Sequence, residues 1–183
     1  ITVQKEIGLH VSSGVSAIRE AIHSGVQVIL FDRLETIEEL LALLHASSSG
    51  ALVFVVSVGN SIHALLSRLL SVSGEKGFEL ANALSKELRG IVVQHLIPVI
   101  DNQGWVLAVE ALQVSPSVAD LIRRKDLTKL PSALASAGNQ AVSLDDSLQN
   151  LVESGYIRGE DAWMRSVNRR RFAAYQPAIS KKG

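Results

Sequence analysis

Apolar and polar positions alternate with two different periods along the first seventy residues. Two short runs, one between Gly25 and Asp32 and one after the serine-rich loop 47–50, are mostly apolar, which favours buried strands. Between them, apolar residues recur every three or four positions, which favours amphipathic helices. The predicted strands are 1–7, 26–31 and 51–58, and the predicted helices are 12–24, 36–45 and 62–70. Strands alternating with helices predict a parallel α/β sheet with right-handed crossovers.

The second half of the chain has a different pattern. A helix over residues 79–88 is followed by two apolar segments, 91–100 and 105–112, whose connecting residues 101–104 predict a hairpin turn. Beyond Ser115, with proline at the next position, the periodicity is helical throughout. The predicted helices there are 126–137, 144–154 and 158–167, and residues 173–183 are expected to form a flexible tail.

Composition narrows the class of protein. The chain has 183 residues, with 18 basic and 18 acidic side chains, so no global field attracts nucleic acid or an anionic membrane. It contains no cysteine, which excludes disulfides and thiolate metal sites. No apolar run is long enough to span a membrane and no signal peptide opens the chain. Because Ile1 already lies in a predicted strand, we expect the chain to begin inside a domain.

Asp32 and Glu35 follow the second predicted strand. A carboxylate at the end of a buried strand is one way in which nucleotide-binding folds hold magnesium, which makes Asp32 the candidate metal ligand. The two residues also have the spacing of a capping box before the helix 36–45. Local pattern leaves both interpretations open.

Other candidate chemistry is sparse. The histidines have no metal-ligand spacing on one helix face, and the sequence holds no phosphate loop and no nucleophile elbow. Basic clusters occur at residues 123–125 and 169–171, with Arg165 one turn before the second. Each cluster is compatible with binding of a phosphate or acidic partner, and equally with a solvated helix end.

Several short segments, in a fixed order, resemble the type IV pilus retraction and type II secretion motor ATPases. They include 34–37 (LETI), 49–54 (SGALVF) and 88–98 (LRGIVVQHLIP). The others are residues 3–8, 16–22, 28–30, 108–110, 117–123, 143–151, 155–157 and 160–162, and the resemblance rests on their shared order. The resemblance extends to about Phe172. It implies a RecA-like, mostly parallel sheet over residues 1–113, the second half of the motor domain, and a helical C-terminal subdomain over residues 114–172.

The same resemblance exposes departures at charged positions. In the resembled family, the motif that matches residues 49–58 contains two histidines, called the box histidines here. Ala51 and Val58 occupy their positions in this chain. An arginine in the family's retraction signature, the motif that matches residues 117–123, is replaced by Ala119. The Walker B segment is shortened, so that Asp32 and Glu35 are the remaining carboxylate candidates. ATP and Mg²⁺ are cofactors of the intact family, and the resemblance implies none for this chain alone.

Three functions therefore stay open. The first is a degenerate motor subunit with a regulatory or structural role, the second an active retraction ATPase whose phosphate loop lies upstream, and the third an interaction domain without nucleotide. The resemblance implies a cytoplasmic hexamer or hetero-oligomer of motor subunits at the inner membrane, with the pilus platform protein as a further partner. Leu121, Ile122 and Arg123 are the candidate contact residues. We also expect the chain to self-associate through uncovered strand edges and apolar faces.

Overall fold

A computed structural model describes residues 2–72, 74–101 and 103–177. Within them, eight α-helices and two small sheets form a mixed α/β fold, which confirms the fold class predicted from the sequence. The strands are β1 (Val28–Phe31), β2 (Leu52–Val55), β3 (Gly90–Pro98), β4 (Trp105–Gln113) and β5 (Ala141–Val142). The helices are α1 (Gly14–His23), α2 (Ile37–Ser48), α3 (Ile62–Leu70), α4 (Gly74–Glu87), α5 (Pro116–Arg124), α6 (Leu130–Ser136), α7 (Leu144–Glu153) and α8 (Gly159–Arg165). Short 3-10 helices span Gly138–Gln140 and Arg169–Tyr175.

The chain divides into two compact units, each built from separate stretches of sequence. Unit 1 contains the residues up to Gly59, Leu65–Leu88 and Pro116–Leu127. Unit 2 contains Asn60–Ala64, Arg89–Ser115 and the residues from Thr128 onward.

In unit 1, β1 and β2 pair in parallel, as the crossover pattern predicts. Alternate residues of β1, Ile29 and Phe31, pack with Ile18 of α1 and Leu43 of α2 into one core. The opposite face of the strand pair is exposed among the described residues, with Leu30 at 71%. The predicted burial of both faces is therefore wrong for this face. A continuous apolar run does not show which neighbours cover each side of a strand.

Capping boxes start both helices that cover β1 and β2. Ser13 and Ser16 form the box of α1, and Thr36 and Glu39 form the box of α2. The capping box considered for Asp32 and Glu35 is wrong, because Thr36 rather than Asp32 is the N-cap residue of α2. Arg33 has a left-handed backbone, with φ 69°, and the chain turns there before it enters the helix.

In unit 2, β3 and β4 form the predicted antiparallel hairpin, and two residues of β5 pair with β4. The inward face of the β3–β4 hairpin packs on α7, α8 and the 3-10 helix Arg169–Tyr175. The buried cluster contains Ile97, Ala108, Leu144, Leu148, Ile157, Ala162 and Phe172.

Several element boundaries differ from the sequence predictions. Residues 2–6 form no strand, and only Ile7 makes an isolated bridge to Val11. The helix predicted over 126–137 is reduced to α6, because Lys125 adopts φ 58° and ends α5 in a turn. Residues 178–183 of the predicted tail lie outside the described residues, and residues 173–175 belong to the last 3-10 helix. No helix in the described part of the chain has the length and apolarity needed to cross a membrane.

Candidate functional site

The carboxyl ends of β1 and β2 form the edge where parallel α/β folds bind ligands. The segments that leave the two strands run side by side there. The amide of Val56 donates to the carbonyl of Phe31 at 2.9 Å, and the amide of Leu34 donates to the carbonyl of Val56 at 2.8 Å. We call the residues 32–36 and 56–59 the carboxyl edge.

Asp32 and Glu35, the two predicted carboxylates, both lie on the carboxyl edge and are both exposed. Glu35 forms a loose ion pair with Arg33, with 3.9 Å between Oε1 and Nε. Such an exposed pair contributes little to stability. Asp32 thus supplies one accessible carboxylate, while Glu35 has a cation beside it.

A carboxylate that was not predicted, Glu39, fixes the shape of this edge. Its side chain is 8% exposed, and Oε2 accepts the backbone N–H groups of Glu35 at 3.1 Å and Thr36 at 2.9 Å. Gly14 permits this placement, since a Cβ there would lie 2.4 Å from Oε1 of Glu39. The signal was present in the sequence as the Thr36–Glu39 spacing of a capping box.

Arg68 of α3 is the second residue that supports the carboxyl edge and that the sequence did not reveal. Its Nη2 donates to Oγ of Ser57 at 3.0 Å and to the carbonyl of Val58 at 2.7 Å. This guanidinium therefore holds the segment that follows β2. Sequence offered no signal for it, since a single arginine on an amphipathic helix is usually a solvated side chain.

The two positions that resemble the family's box histidines carry no polar side chain. Ala51 packs against the core of unit 1, and Val58 is 73% exposed at the carboxyl edge. Alanine and valine side chains neither hydrogen-bond a phosphate nor transfer a proton.

Among the described residues, the carboxyl edge supplies only part of the donor set of a hydrolytic magnesium–nucleotide site. Magnesium in such sites is held by one or two carboxylates together with substrate phosphates. Asp32 offers one carboxylate, but no cluster of three or more histidine or acidic side chains in the described residues is arranged to hold a metal. Since the imidazole positions are apolar too, no catalytic step follows from this geometry.

Unit 2 contains a buried carboxylate whose role the sequence did not reveal. Glu110 of β4 is 6% exposed, and its Oε2 accepts the backbone N–H of Ile62 at 2.7 Å. Burial raises the pKa of Glu110, while the Ile62 hydrogen bond and the charge of His95 oppose the rise. The signal was its inward position in the alternation of β4, between Ala108 and Leu112, where an apolar residue is expected.

The predicted contact residues of α5 lie in different environments. Ile122 is fully buried and packs inside unit 1, so it is not available for contacts while the fold is intact. Leu121 is half-buried and Arg123 is exposed. Arg123 and Arg124 both pair with Asp120, and the Arg123 hydrogen bond is the main reason why the pKa of Asp120 is lowered.

The C-terminal basic cluster is largely engaged within unit 2. Arg171 binds Asp146 at 2.6 Å, Arg169 lies over the ring of Trp163 at 4.8 Å, and Arg165 pairs with Asp161 at 3.2 Å. These contacts favour the structural interpretation of the cluster over binding of a phosphate.

Comparison with known proteins gives the class of the fold. No protein-family model matches the chain. The chain is 30% identical over 168 residues to a twitching motility protein of Neisseria gonorrhoeae, covering 90% of this chain and 45% of that protein. It is 26% identical over 164 residues to the type IV pilus ATPase PilU of Pseudomonas aeruginosa, covering 88% and 43%.

Solved structures with a similar fold point to the same class of proteins. The pilus retraction motor PilT with bound ADP matches with a TM-score of 0.80 and 27% identity, over 92% of this chain and 48% of PilT. The Legionella pneumophila ATPase DotB matches with a TM-score of 0.77 and 21% identity, over 88% and 44%, which shows a shared fold.

The chain is therefore a relative of the twitching motility and type IV pilus ATPases, and the resemblance to pilus motors predicted from its motifs is confirmed. Within that class its fold is that of the C-terminal part of PilT. The chain spans a little under half the length of these relatives.

Proposed function

We propose that this chain is the second half of a pilus-type motor ATPase domain that hydrolyses ATP poorly or not at all. Its role is regulatory or structural within a type IV pilus or secretion motor. One observation carries the proposal: the positions matching the family's box histidines are Ala51 and Val58, and both lack any group that can act on a phosphate.

The chemistry explains why these replacements matter. Phosphoryl transfer depends on positioned charges and magnesium rather than on covalent chemistry. Removing one such electrostatic contact typically costs about 10²–10³ in rate. Loss of several contacts at one edge therefore predicts turnover many orders of magnitude below that of an intact motor.

The proposed setting is the one that the resemblance to the pilus motors supports. The chain acts in the cytoplasm, peripherally at the inner membrane, as part of a homo- or hetero-oligomer with other motor subunits, hexameric in the family. The pilus platform protein is the proposed further partner. A division at residues 113 and 114, between the motor half and the helical subdomain, belongs to the same proposal.

Phosphate release tests the proposal directly. Neither this chain nor the chain extended to the full length of its relatives is expected to release more phosphate than buffer alone with ATP and Mg²⁺, and the Asp32→Ala variants are expected to behave identically. Turnover of the extended chain that Asp32→Ala abolishes would contradict the proposal and support the alternative of an active motor completed by upstream residues.

A binding measurement separates the remaining alternative. A fluorescent ATP analogue should bind a degenerate motor subunit without being hydrolysed. Absence of binding, both by this chain and by the chain extended to the full length of its relatives, would support an interaction domain without nucleotide.

A further inference from the structure

We propose that Glu110 is a proton-sensitive cap of α3, whose ionised form holds the first turn of that helix and whose protonated form releases it. This inference goes beyond the proposed function and does not depend on nucleotide hydrolysis.

The hydrogen bond at the start of α3 is the first observation. Oε2 of Glu110 lies 2.7 Å from the backbone N of Ile62, the first residue of the helix. Ser61 accepts the N–H of Ala64 at 3.1 Å, so side chains satisfy two of the helix's free N–H groups. A carboxylate accepts such a bond about twice as strongly as a neutral oxygen does.

The surroundings of Glu110 are the second observation. Three further ionisable side chains face it: His95 from β3, His63 from α3, and Asp145 from α7. Nε2 of His95 is buried and has no hydrogen-bond partner among the described residues. Both carboxylate oxygens of Asp145 already accept hydrogen bonds, from the backbone N–H groups of Val167 and Asn168 at 2.9 Å each.

The balance of these effects makes the cap sensitive to protons. Burial is the largest influence and raises the pKa of Glu110, and Asp145 adds to it. The Ile62 hydrogen bond, His95 and His63 act in the opposite direction without cancelling the rise. Glu110 therefore takes up a proton at a higher pH than an ordinary glutamate, whose pKa is about 4.3.

Protonation of Glu110 should weaken the hydrogen bond at the start of α3 and, at the same time, raise the stability of the fold. Because the folded pKa is above the unfolded one, Glu110 contributes stability below the unfolded pKa, and that contribution is lost as pH rises through the folded pKa. The Ile62 hydrogen bond behaves in reverse, since it is strongest when the carboxylate is ionised. Lowering the pH should thus stabilise the fold while it loosens the first turn of α3.

Amide exchange and carboxyl titration of the labelled chain test the proposal. As pH falls through the Glu110 midpoint, the protection factor of the Ile62 amide should fall about five- to tenfold, the difference between a charged and a neutral acceptor. The Glu110 carboxyl carbon should titrate at the same midpoint. His95→Leu, which removes an opposing charge, should move that midpoint to higher pH.

The Glu110→Gln variant keeps an acceptor for Ile62 and removes the charge. In this variant the Ile62 protection factor should no longer change with pH, and the gain in stability on acidification should shrink. Glu39→Gln, a change in the other buried helix cap, should leave the Ile62 response intact. A Glu110 midpoint at or below the ordinary value, or an Ile62 amide that ignores the titration in the wild-type chain, would overturn the proposal.

Discussion

At the scale of single residues, burial and backbone contacts decide what each carboxylate does. Glu39 is buried and accepts two backbone N–H groups, whereas its neighbour Glu38 is exposed and pairs with Lys76. Loss of a helix-cap acceptor costs about 0.5–2 kcal/mol, whereas loss of an exposed ion pair costs little. Adjacent residues of α2 therefore differ sharply in their contribution to stability.

Replacing Glu39 by alanine should destabilise the chain. The change removes the acceptor of the Glu35 and Thr36 amides, and loss of such a helix cap costs about 0.5–2 kcal/mol in the free energy of unfolding. Urea denaturation measures the loss. Glu38→Ala is the matched control, and its midpoint should change little because the ion pair is exposed. Equal midpoints for the two variants would show that Glu39 has no special role.

Sequence predicted the chemistry of single residues only in part. The spacing of Asp32 and Glu35 satisfied the capping-box rule as well as Thr36 and Glu39 did, and only the left-handed turn at Arg33 selects between them. Glu110 could have been found as a charge on the inward side of an alternating strand. Its partner, the N–H of Ile62, is 48 residues away and is set by tertiary structure.

At the scale of elements, α7 anchors the segment that ends the described chain. Ser143 caps α7, and Asp146 in its first turn accepts from both Ser143 and Arg171. Gln149, one turn later, also binds Arg171. The first half of α7 thus holds the 3-10 helix Arg169–Tyr175 by side-chain contacts.

The Asp146→Asn substitution should loosen that 3-10 helix. The Ser143 hydrogen bond, followed by Arg171, lowers the pKa of Asp146, so its contribution is present above the unfolded pKa and is lost as pH falls through the lower folded value. At neutral pH, limited digestion with trypsin should cleave the variant after residues 169–171 several-fold faster than the wild type. A several-fold change corresponds to the loss of the charge-assisted hydrogen bond between Arg171 and Asp146.

Asp120→Asn provides the control for this prediction, because it breaks exposed ion pairs on α5 and should leave cleavage at residues 169–171 unchanged. Unchanged cleavage in Asp146→Asn would mean that Phe172, which is buried, holds the segment by itself.

Elements with local signals were predicted well, and those set by distant contacts were not. The predicted helices 12–24, 36–45 and 144–154 correspond to α1, α2 and α7, each of which begins at a serine or threonine side-chain cap. By contrast, β5 has two residues and exists only because β4 lies beside it. A segment that short has no periodicity to detect.

At the scale of the whole molecule, each unit has an apolar sheet face that no described residue covers. In unit 1 this outer face consists of Val28, Leu30, Leu52 and Phe54, each at least 53% exposed. In unit 2 the outer face of the hairpin contains Val92, Leu96, Trp105 and Leu107, each at least 41% exposed. Contiguous apolar surface of this kind favours association.

We therefore expect the chain to self-associate as its concentration rises. Light scattering across a concentration series should show a mass that grows beyond the 19.7 kDa of one chain. The double variant Leu30→Lys with Phe54→Lys should reduce the growth, because it places charges on the outer face of unit 1. A single species with the mass of one chain at every concentration would contradict the prediction.

Phe78→Lys is the control, since Phe78 is 74% exposed on helix α4 and is not part of either sheet face. Association that decreases equally in this variant would point to net charge rather than to the sheet face.

All four aromatic side chains that dominate near-ultraviolet optics, Trp105, Trp163, Tyr156 and Tyr175, belong to unit 2. Trp163 also has a guanidinium over its ring, from Arg169. Intrinsic fluorescence of this chain is consequently a label for one unit only, whereas far-ultraviolet circular dichroism records the helices of both. Heating followed with both probes would therefore distinguish, without any added dye or mutation, a chain whose units melt together from one whose units melt separately.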